Sequence, residues 1–436
     1  MGVRIGVFGW GVVAPKSRNI DAFRMNLGSA STWLEPFNGF GPDNFLVGVP
    51  DFDFSDYQDW IGKRFAPRHF QKLKEKMDFP AQYAMGAFIQ ALEQNRGLGQ
   101  ELESLRDQAH VYVGTGIGAI DTTYRASIAL YEAQKSWDRF WSERQPQELQ
   151  NYLTELAEID DLTIEGDVET GKLHAIREKE KRHVRLREKW GAPEPPWNVS
   201  ANIIWNIHNT PAAQISILGK ITGLSFAPVA ACSTFGVALR LAMRAIQCGD
   251  AKAVVVGATD PPPHPLTVGS FYSARVIAAN RSLSVPLTRL QGTHVAGGSV
   301  VWIVGDFDYM TAKGFTPLGM EPVAVGVSSD ADHIITPSTE GPTNAIMQAL
   351  KDAHAESADL GSWDLHATAT PGDYSEMATL RSIVKNDVLV TARKGTFGHG
   401  MAAGGGWELT AQYLGYESGQ LYPTPLSPQE LNRGIR

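Results

Sequence analysis

Short apolar runs that end in glycines alternate with segments of helical periodicity along most of the chain. Residues 3–13 (VRIGVFGWGVV) and 110–120 (HVYVGTGIGAI) are apolar runs typical of buried strands. Between them, residues 77–94 place apolar side chains at the three- and four-residue spacing of a helix. Units of strand, glycine turn and helix recur from residue 199 onward. The pattern predicts an α/β fold with two halves and an internally duplicated α/β/α layering.

Beyond residue 199, candidate catalytic residues lie directly after predicted strands. Residues 225–231 (SFAPVAA) predict a short strand, and residues 233–248 predict a helix. Residues 251–260 (AKAVVVGATD) and 321–329 (EPVAVGVSS) predict buried strands of the parallel type, because such strands are apolar on both faces. Cysteine and histidine residues at the ends of such strands are therefore candidates for chemistry.

A highly charged segment interrupts this alternation at about residues 121–198. Acidic and basic residues alternate at helical spacing between 175 and 189, which allows Glu–Arg and Glu–Lys pairs three or four positions apart. One side of a preceding helical stretch is apolar, with Leu149, Tyr152, Leu153 and Leu156. We predict a solvated helical insertion within an N-terminal half at 1–260, followed by a C-terminal half at 261–436. A flap or a partner surface is the alternative.

Composition and charge exclude several classes of protein. Of the 436 residues, 43% are hydrophobic and 20% are charged, and the net charge of −8 argues against nucleic-acid binding. No apolar run reaches the roughly 18 residues that a membrane span requires. The N-terminal MGVRIGVFGWGVVAP lacks the charged region, long apolar segment and cleavage site of a secretory signal.

Cys232 and Cys248 are the only two cysteines of the sequence. On one predicted helix their separation would be roughly 24 Å, which is beyond the reach of a disulfide. Two free thiols predict a reducing compartment and hence a cytoplasmic location. Because the sequence contains no CxxC or HxxxH pattern, no metal and no other cofactor is predicted.

Cys232 stands where a predicted strand meets a predicted helix. Helix N–H groups near its sulfur would favour the thiolate, and its small neighbours leave room for an acyl group. A buried structural cysteine is the alternative, and Cys248 is predicted to be structural. His366 and His399 lie in loops that follow apolar strands and are rich in threonine or glycine. These residues predict a nucleophile with two imidazole partners.

Four motifs in this part of the chain resemble those of the β-ketoacyl-ACP synthases of the thiolase superfamily. Residues 231–236 (ACSTFG) resemble the family's Ala-Cys-Ser-Ser-Gly. Residues 366–376 (HATATPGDYSE) resemble His-Gly-Thr-Gly-Thr-Pro-x-x-Asp-x-x-Glu, shortened by one residue. Residues 394–399 (KGTFGH) match Lys-x-x-x-Gly-His, and Glu408 lies at the family's offset of nine residues after that histidine. Together they resemble the elongating, Cys-His-His type. The resemblance implies a thiolase fold, in which duplicated α/β halves form an α-β-α-β-α layered body.

The resemblance implies a decarboxylative Claisen condensation. Cys232 would carry the acyl group, and malonyl-ACP would supply the carbanion after decarboxylation. His366 and His399 would stabilise the enolate, while Lys394 and Glu408 would form a charge pair that orients the histidine loops. No cofactor is implied.

The resemblance also implies further contacts and partners. The implied substrate-binding residues are Thr368, Thr370 and Phe397, and the residues implied to dock the acidic acyl carrier protein are Arg68, Lys72 and Lys76. Acyl and malonyl thioesters would be the small partners. A homodimer is implied, with a heterodimer as the alternative.

The sequence departs from the family pattern at several positions. His-Gly-Thr-Gly-Thr becomes His-Ala-Thr-Ala-Thr, and Ala296 lies near a position where the family has glutamate. The end of the sequence (PTPLSPQELNRGIR) lacks the family's Gly-Phe-Gly-Gly turn, so the usual last strands of the C-terminal half are expected to be missing. Two alternatives remain: a thiolase-fold acyltransferase or thioesterase-like protein, and a non-catalytic partner subunit of a ketosynthase heterodimer.

Overall fold

The computed structural model describes residues 2–41, 44–161, 171–279, 281–332, 338–384 and 387–435. The chain folds as two compact units. The larger unit contains Met1–Ile120 and Trp205–Arg436, and the smaller one contains Asp121–Ile204. The predicted division into halves at residue 260 runs through the larger unit and stays a prediction.

Nine strands are present in the described part of the chain. They are β1 (Ile5–Val13), β2 (Glu35–Pro36), β3 (Leu46–Val47), β4 (Ala109–Gly114), β5 (Ser225–Phe226), β6 (Ala253–Asp260), β7 (Gly298–Asp306), β8 (Ser362–Asp364) and β9 (Leu389–Thr391).

Seventeen α-helices accompany these strands within the described residues. They are α1 (Ile20–Leu27), α2 (Gln58–Gly62), α3 (Arg68–Lys76), α4 (Phe79–Glu93), α5 (Leu98–Leu105), α6 (Ile120–Glu143), α7 (Pro146–Asp160), α8 (Gly171–Trp190), α9 (Asn202–Trp205), α10 (Thr210–Gly219), α11 (Thr234–Cys248), α12 (Pro265–Ser273), α13 (Phe307–Ala312), α14 (Glu340–Ala353), α15 (Gly372–Ile383), α16 (Lys394–Phe397) and α17 (Gly404–Ser418).

A five-stranded sheet in the order β1-β7-β6-β4-β5 lies at the centre of the larger unit. Strand β4 runs parallel to β5 and β6, whereas β7 runs antiparallel to β1 and β6. The purely parallel pairing predicted for β6 is therefore wrong on one side. Because β6 is buried on both faces, its apolar character does not distinguish the two directions.

Helices cover both faces of this sheet, which confirms the predicted layers. Val254 and Val256 of β6 pack in the same cluster as α11, while Val255 packs in the cluster that contains α4 and α10. Alternate residues of one strand thus enter two separate cores. Fully apolar strands are the sequence signature of such a doubly covered sheet.

A second, two-stranded sheet pairs β8 with β9 in parallel. The strand predicted at residues 321–329 is absent, and that prediction is wrong. Its backbone groups bond to side chains instead: Arg240 donates to the Val325 carbonyl, and the Gln348 side chain accepts from Val327 N–H at 3.0 Å. A short apolar run can meet its hydrogen-bonding requirement without a neighbouring strand.

The smaller unit contains α7, α8 and nearly all of α6, so the prediction of a helical insertion is confirmed; residues 162–170 of it lie outside the described part. Phe140, Tyr152 and Leu186 form its core, with Leu149 and Leu156 packed against them. Leu153 is exposed, so it does not share the apolar side predicted for it. Ion pairs such as Lys189–Glu155, at 2.7 Å, connect the helices.

Among the described residues, no helix combines the length and apolar character that a bilayer crossing needs.

Candidate active site

Cys232 lies in a single 3₁₀ turn, Ala231–Ser233, between β5 and α11. Ala231 adopts φ +47°, which is unusual for a residue with a side chain and stores strain at this turn. The buried Thr234 hydroxyl closes the turn, since it donates to the Ala231 carbonyl at 2.7 Å and accepts from Ala230 N–H at 3.0 Å. Cys232 is thereby held at the start of a helix, as predicted.

The Cys232 thiol is partly buried, and burial raises its pKa above the ordinary value. Lys394 opposes this shift, whereas Asp260 adds to it. The thiolate expected from the helix N-terminus is therefore not the resting form of Cys232. A nucleophile of this kind loses its proton as it reacts, and a neighbouring base must accept that proton.

Cys232, His366 and His399 come together from three distant parts of the chain. The sulfur of Cys232 and a ring nitrogen from each histidine lie within 4.8 Å of one another. The two imidazole rings are nearly perpendicular, at 86°, with centroids 5.4 Å apart. The described residues hold no other group of three or more Cys, His, Asp and Glu side chains with metal-binding spacing. The raised thiol pKa opposes metal binding, because a metal needs the thiolate.

His399 is fixed by backbone contacts on both sides. Its N–H donates to the His294 carbonyl at 2.7 Å, and its carbonyl accepts from Ala296 N–H at 2.9 Å. Gly398 makes this path possible with φ +80°, where a Cβ would lie 2.9 Å from the His294 carbonyl oxygen. Nδ1 of His399 accepts from Met401 N–H at 3.0 Å. The neutral ring therefore carries its proton on Nε2 and can donate it to a substrate oxygen.

His366 lies in the loop between β8 and α15. Its N–H donates to the Glu376 carboxylate at 2.6 Å. Asp373 accepts from Thr368 N–H and from Leu287 N–H, each at 2.9 Å. Both acids lie in the first turns of α15 and hold the histidine loop against it. Sequence reasoning assigned them no role, although the spacing of the two acids after His366 was a usable signal.

Both imidazoles of this cluster are neutral at physiological pH. The pKa of His399 is lowered to about 3, mainly by burial and further by the charge of Lys394. The pKa of His366 is lowered well below its ordinary value, first by Lys394, then by burial and by His399. His366 is exposed on one side of the cluster, whereas His399 is buried. Neutral rings can donate through one nitrogen and accept through the other.

Lys394 and Glu408 form a buried ion pair with an Nζ–Oε1 distance of 2.5 Å. Burial raises the pKa of Glu408, and Lys394 opposes the rise. A second buried pair, which the sequence did not reveal, joins Arg393 to Asp364 at 2.6 Å. Unpaired, any of these charges would be expensive to bury.

The residues predicted to bind substrate separate into two groups. Thr368 and Thr370 are half-buried beside His366, and their hydroxyls are 2.9 Å apart in a hydrogen bond. Phe397 is fully buried and packs on Phe23 and Trp33, and its contact with substrate stays a prediction. Its sequence position beside His399 does not reveal which way the ring points.

The three residues predicted to dock a carrier protein lie on α3. Arg68, Lys72 and Lys76 are exposed and spaced four residues apart, so they form one row along the helix. None of the three forms an ion pair with another described residue. Phe70 and Leu73 bury the opposite side of α3.

Two family models match this chain over more than half of its length: "Beta-ketoacyl synthase, N-terminal domain" at residues 148–304 and "Beta-ketoacyl synthase, C-terminal domain" at residues 321–426. The chain belongs to the β-ketoacyl synthase family. A curated relative, the 3-oxoacyl-[acyl-carrier-protein] synthase 2 of Vibrio harveyi, is 24% identical over 99% of this chain and 90% of the relative.

Solved structures of β-ketoacyl synthases share the fold. One from Burkholderia phymatum superposes with a TM-score of 0.71 at 18% identity, covering 100% of this chain and 91% of that chain. A ketosynthase from Xenorhabdus doucetiae, solved in complex with its chain length factor, gives a TM-score of 0.65 at 18% identity, with 95% and 84% covered. The predicted thiolase fold of this family member is thus confirmed.

Proposed function

We propose that the protein is a β-ketoacyl-ACP synthase. It would condense an acyl group on Cys232 with malonyl-ACP, release CO₂ and give β-ketoacyl-ACP. The observation that carries this proposal is the convergence of a thiol and two neutral imidazoles within 4.8 Å. The full-length similarity to a 3-oxoacyl-ACP synthase supports the substrate class.

The first half-reaction transfers the acyl group. The Cys232 sulfur attacks the thioester carbon, and its proton passes to the ring of His366, which has no hydrogen bond to another described residue. The tetrahedral adduct then expels the carrier thiolate, which takes that proton. A neutral His366 suits this role because an imidazolium could not accept the proton.

The second half-reaction breaks the bond between the malonyl carboxylate and its α-carbon. CO₂ leaves, and the electron pair forms an enolate whose oxygen accepts a hydrogen bond from Nε2–H of His399. The α-carbon then attacks the acyl-Cys232 carbon and expels the sulfur, which takes up one proton from solvent. Lys394 supports this step by keeping both rings neutral.

Mass spectrometry after incubation with acyl-ACP and malonyl-ACP tests the proposal. β-Ketoacyl-ACP together with acylated Cys232 is the expected result. Acylation without β-ketoacyl product would instead favour a simple acyltransferase or thioesterase, and no acylation would favour a non-catalytic subunit. The intact cysteine, the histidines and the Lys394–Glu408 pair disfavour the non-catalytic subunit.

The lowered histidine pKa values predict an unusual pH profile. A histidine with a lowered pKa stays neutral until the pH falls to that lower value, so protonation of His399 occurs near 3 rather than near 6.5. Malonyl-ACP decarboxylation by the Cys232→Gln variant, which lacks the thiol, should therefore stay level from about pH 8 to about pH 5. CO₂ release measured across that range checks this. A loss of rate centred at the ordinary histidine pKa would contradict it.

We propose that Arg68, Lys72 and Lys76 dock the acidic carrier protein. Changing all three to glutamate should raise KM for malonyl-ACP about tenfold or more and leave kcat unchanged, because the charges contribute to encounter and not to chemistry. The α8 triple Arg177→Glu, Lys181→Glu and Arg185→Glu is a matched control, with the same spacing, exposure and charge change. Equal effects of the two triples would show only a general response to net charge.

We propose a homodimer that forms along the free edge of β5, with a heterodimer as the alternative. Strand β5 pairs with β4 only, among the described strands, and Leu224 and Val229 beside it are exposed. An open edge with apolar neighbours favours pairing with a second chain. Sedimentation at micromolar concentration should give a dimer, and Leu224→Glu with Val229→Glu should give a monomer. Leu153→Glu, at an exposed apolar residue of α7, should leave the dimer intact.

We also place the protein in a reducing compartment, the cytoplasm. Both cysteines are free in the structure, and Cys248 is exposed, where an oxidising environment would attack it.

A further inference from the structure

A carboxylate that the mechanism above does not use lies buried beneath the catalytic loops. Asp260 is the last residue of β6 and has no solvent exposure. One of its oxygens, Oδ1, accepts from the Thr115 hydroxyl at 2.8 Å, from Gly116 N–H at 2.9 Å and from Ile117 N–H at 2.8 Å. The other oxygen, Oδ2, accepts from Ala402 N–H at 2.7 Å.

All four groups donate to Asp260, which favours its charged form. Burial raises the pKa of Asp260, and hydrogen bonds from Ile117, Ala402, Thr115 and Gly116 offset part of that rise. A protonated carboxyl would add a donor where the described contacts are already donors. Backbone N–H groups can hold a buried anion without a cation beside it.

The Ala402 contact connects Asp260 to His399. Ala402 belongs to the 3₁₀ turn Met401–Ala403 that follows His399 directly. The preceding peptide in this turn, Met401 N–H, donates to Nδ1 of His399 and so sets the tautomer. Met401 has φ +48°, an unfavourable conformation that persists only where neighbouring contacts hold it. Asp260 supplies such a contact one residue later.

We propose that Asp260 is a positioning residue for the condensation: it fixes the turn after His399 so that Nε2–H stays directed at the substrate oxygen. A side chain at Gly116 would crowd the carboxylate, since a Cβ there would lie 3.1 Å from Oδ2. The turn Met401–Ala403, which Asp260 contacts through Ala402, packs against the turn Ala231–Ser233 that holds Cys232, and the charge of Asp260 raises the thiol pKa. A single buried charge thus couples the geometry of the histidine turn to the reactivity of the nucleophile. The role in decarboxylation rests on the proposed function, whereas the effect on the thiol does not.

The Asp260→Asn substitution tests the contacts of the two carboxylate oxygens separately. An amide oxygen can keep the three donors of the Thr115–Ile117 loop, but its NH₂ group then faces Ala402 N–H, donor against donor. We expect kcat for malonyl-ACP decarboxylation to fall about tenfold or more, with KM little changed. Cys232 should react faster with iodoacetamide near neutral pH, because a nearby negative charge is gone. Site-resolved mass spectrometry measures that rate, with the exposed Cys248 as internal reference.

Thr115→Val is the matched control. It removes one donor to Oδ1 and leaves the Ala402 contact in place, so it should lower the melting temperature and keep kcat near the wild-type value. Should Asp260→Asn fail to fold, Asp260→Glu keeps the charge but displaces the carboxylate, and it should lower decarboxylation while leaving the alkylation rate unchanged.

Unchanged kcat in the folded Asp260 variant, or equal losses in the Thr115→Val control, would overturn the proposal and leave Asp260 a structural residue. If the wild-type protein releases no CO₂ from malonyl-ACP, the proposed function fails instead. The alkylation rate of the Asp260→Asn variant then still tests the coupling between Asp260 and Cys232, and an unchanged rate in that variant would overturn the coupling.

Discussion

Replacing Cys232 with glutamine is expected to abolish formation of β-ketoacyl-ACP and to leave malonyl-ACP decarboxylation at or above the wild-type rate. The thiol is the only group of the cluster that can carry the acyl chain, so its loss removes the covalent intermediate. Decarboxylation depends on the neutral histidines, which the substitution leaves in place. The glutamine amide would also occupy the position of an acyl-cysteine carbonyl and fill the space that the acyl group takes.

The measurement is product analysis by mass spectrometry beside an assay of CO₂ release. Cys248→Ser is the matched control, because it changes a cysteine at the far end of α11 and should leave both activities unchanged. β-Ketoacyl-ACP from the Cys232→Gln variant would place the nucleophile elsewhere. Loss of both activities in a folded protein would mean that Cys232 is also needed to stabilise the enolate.

Removing the Nε2–H of His399 is expected to lower decarboxylation by a factor of about 10² to 10³, the usual loss for one donor to a developing oxyanion. His399→Asn is the sharpest test. Its side-chain oxygen can accept from Met401 N–H in place of Nδ1, so the turn is retained while the Nε2 donor disappears. His399→Ala should lose the same activity and also some stability, because Met401 N–H would be left buried without an acceptor.

Rescue by a conservative substitution distinguishes donation from general disruption. His399→Gln can place an amide N–H near the position of Nε2, and partial recovery of CO₂ release is expected. His174→Ala, at an exposed histidine of α8, is the control and should behave as the wild type. Normal decarboxylation by His399→Asn would assign the enolate contact to another group.

The motifs are the part of the site that the sequence predicts best. Cys232, His366 and His399 each follow an apolar strand or a predicted turn, and the resemblance implied their order. It also implied Glu408 as the partner of Lys394. The Lys394–Glu408 pair is present at 2.5 Å. These features are local, because residues a few positions apart on one loop or helix keep their relative positions however the rest of the chain folds.

Other properties depend on neighbours that are far away in the sequence. The raised pKa of Cys232 arises from burial, which outweighs the helix N-terminus considered from the sequence alone. Phe397 packs in an aromatic core that its position beside His399 does not reveal. Asp260 ends an apolar run that predicts only a strand, and its partner Ala402 lies 142 residues further on.

The sequence by itself determined the α/β layers, the helical insertion and the candidates for the reacting groups. Apolar runs buried on both faces require covering helices, and dense charge cannot enter a core. Only the tertiary structure decided which strand pairs ran antiparallel, which protonation states the thiol and imidazoles adopt, and which carboxylate holds the His399 turn. All three depend on burial and on hydrogen bonds between distant segments. Burial and these hydrogen bonds arise only when the chain folds.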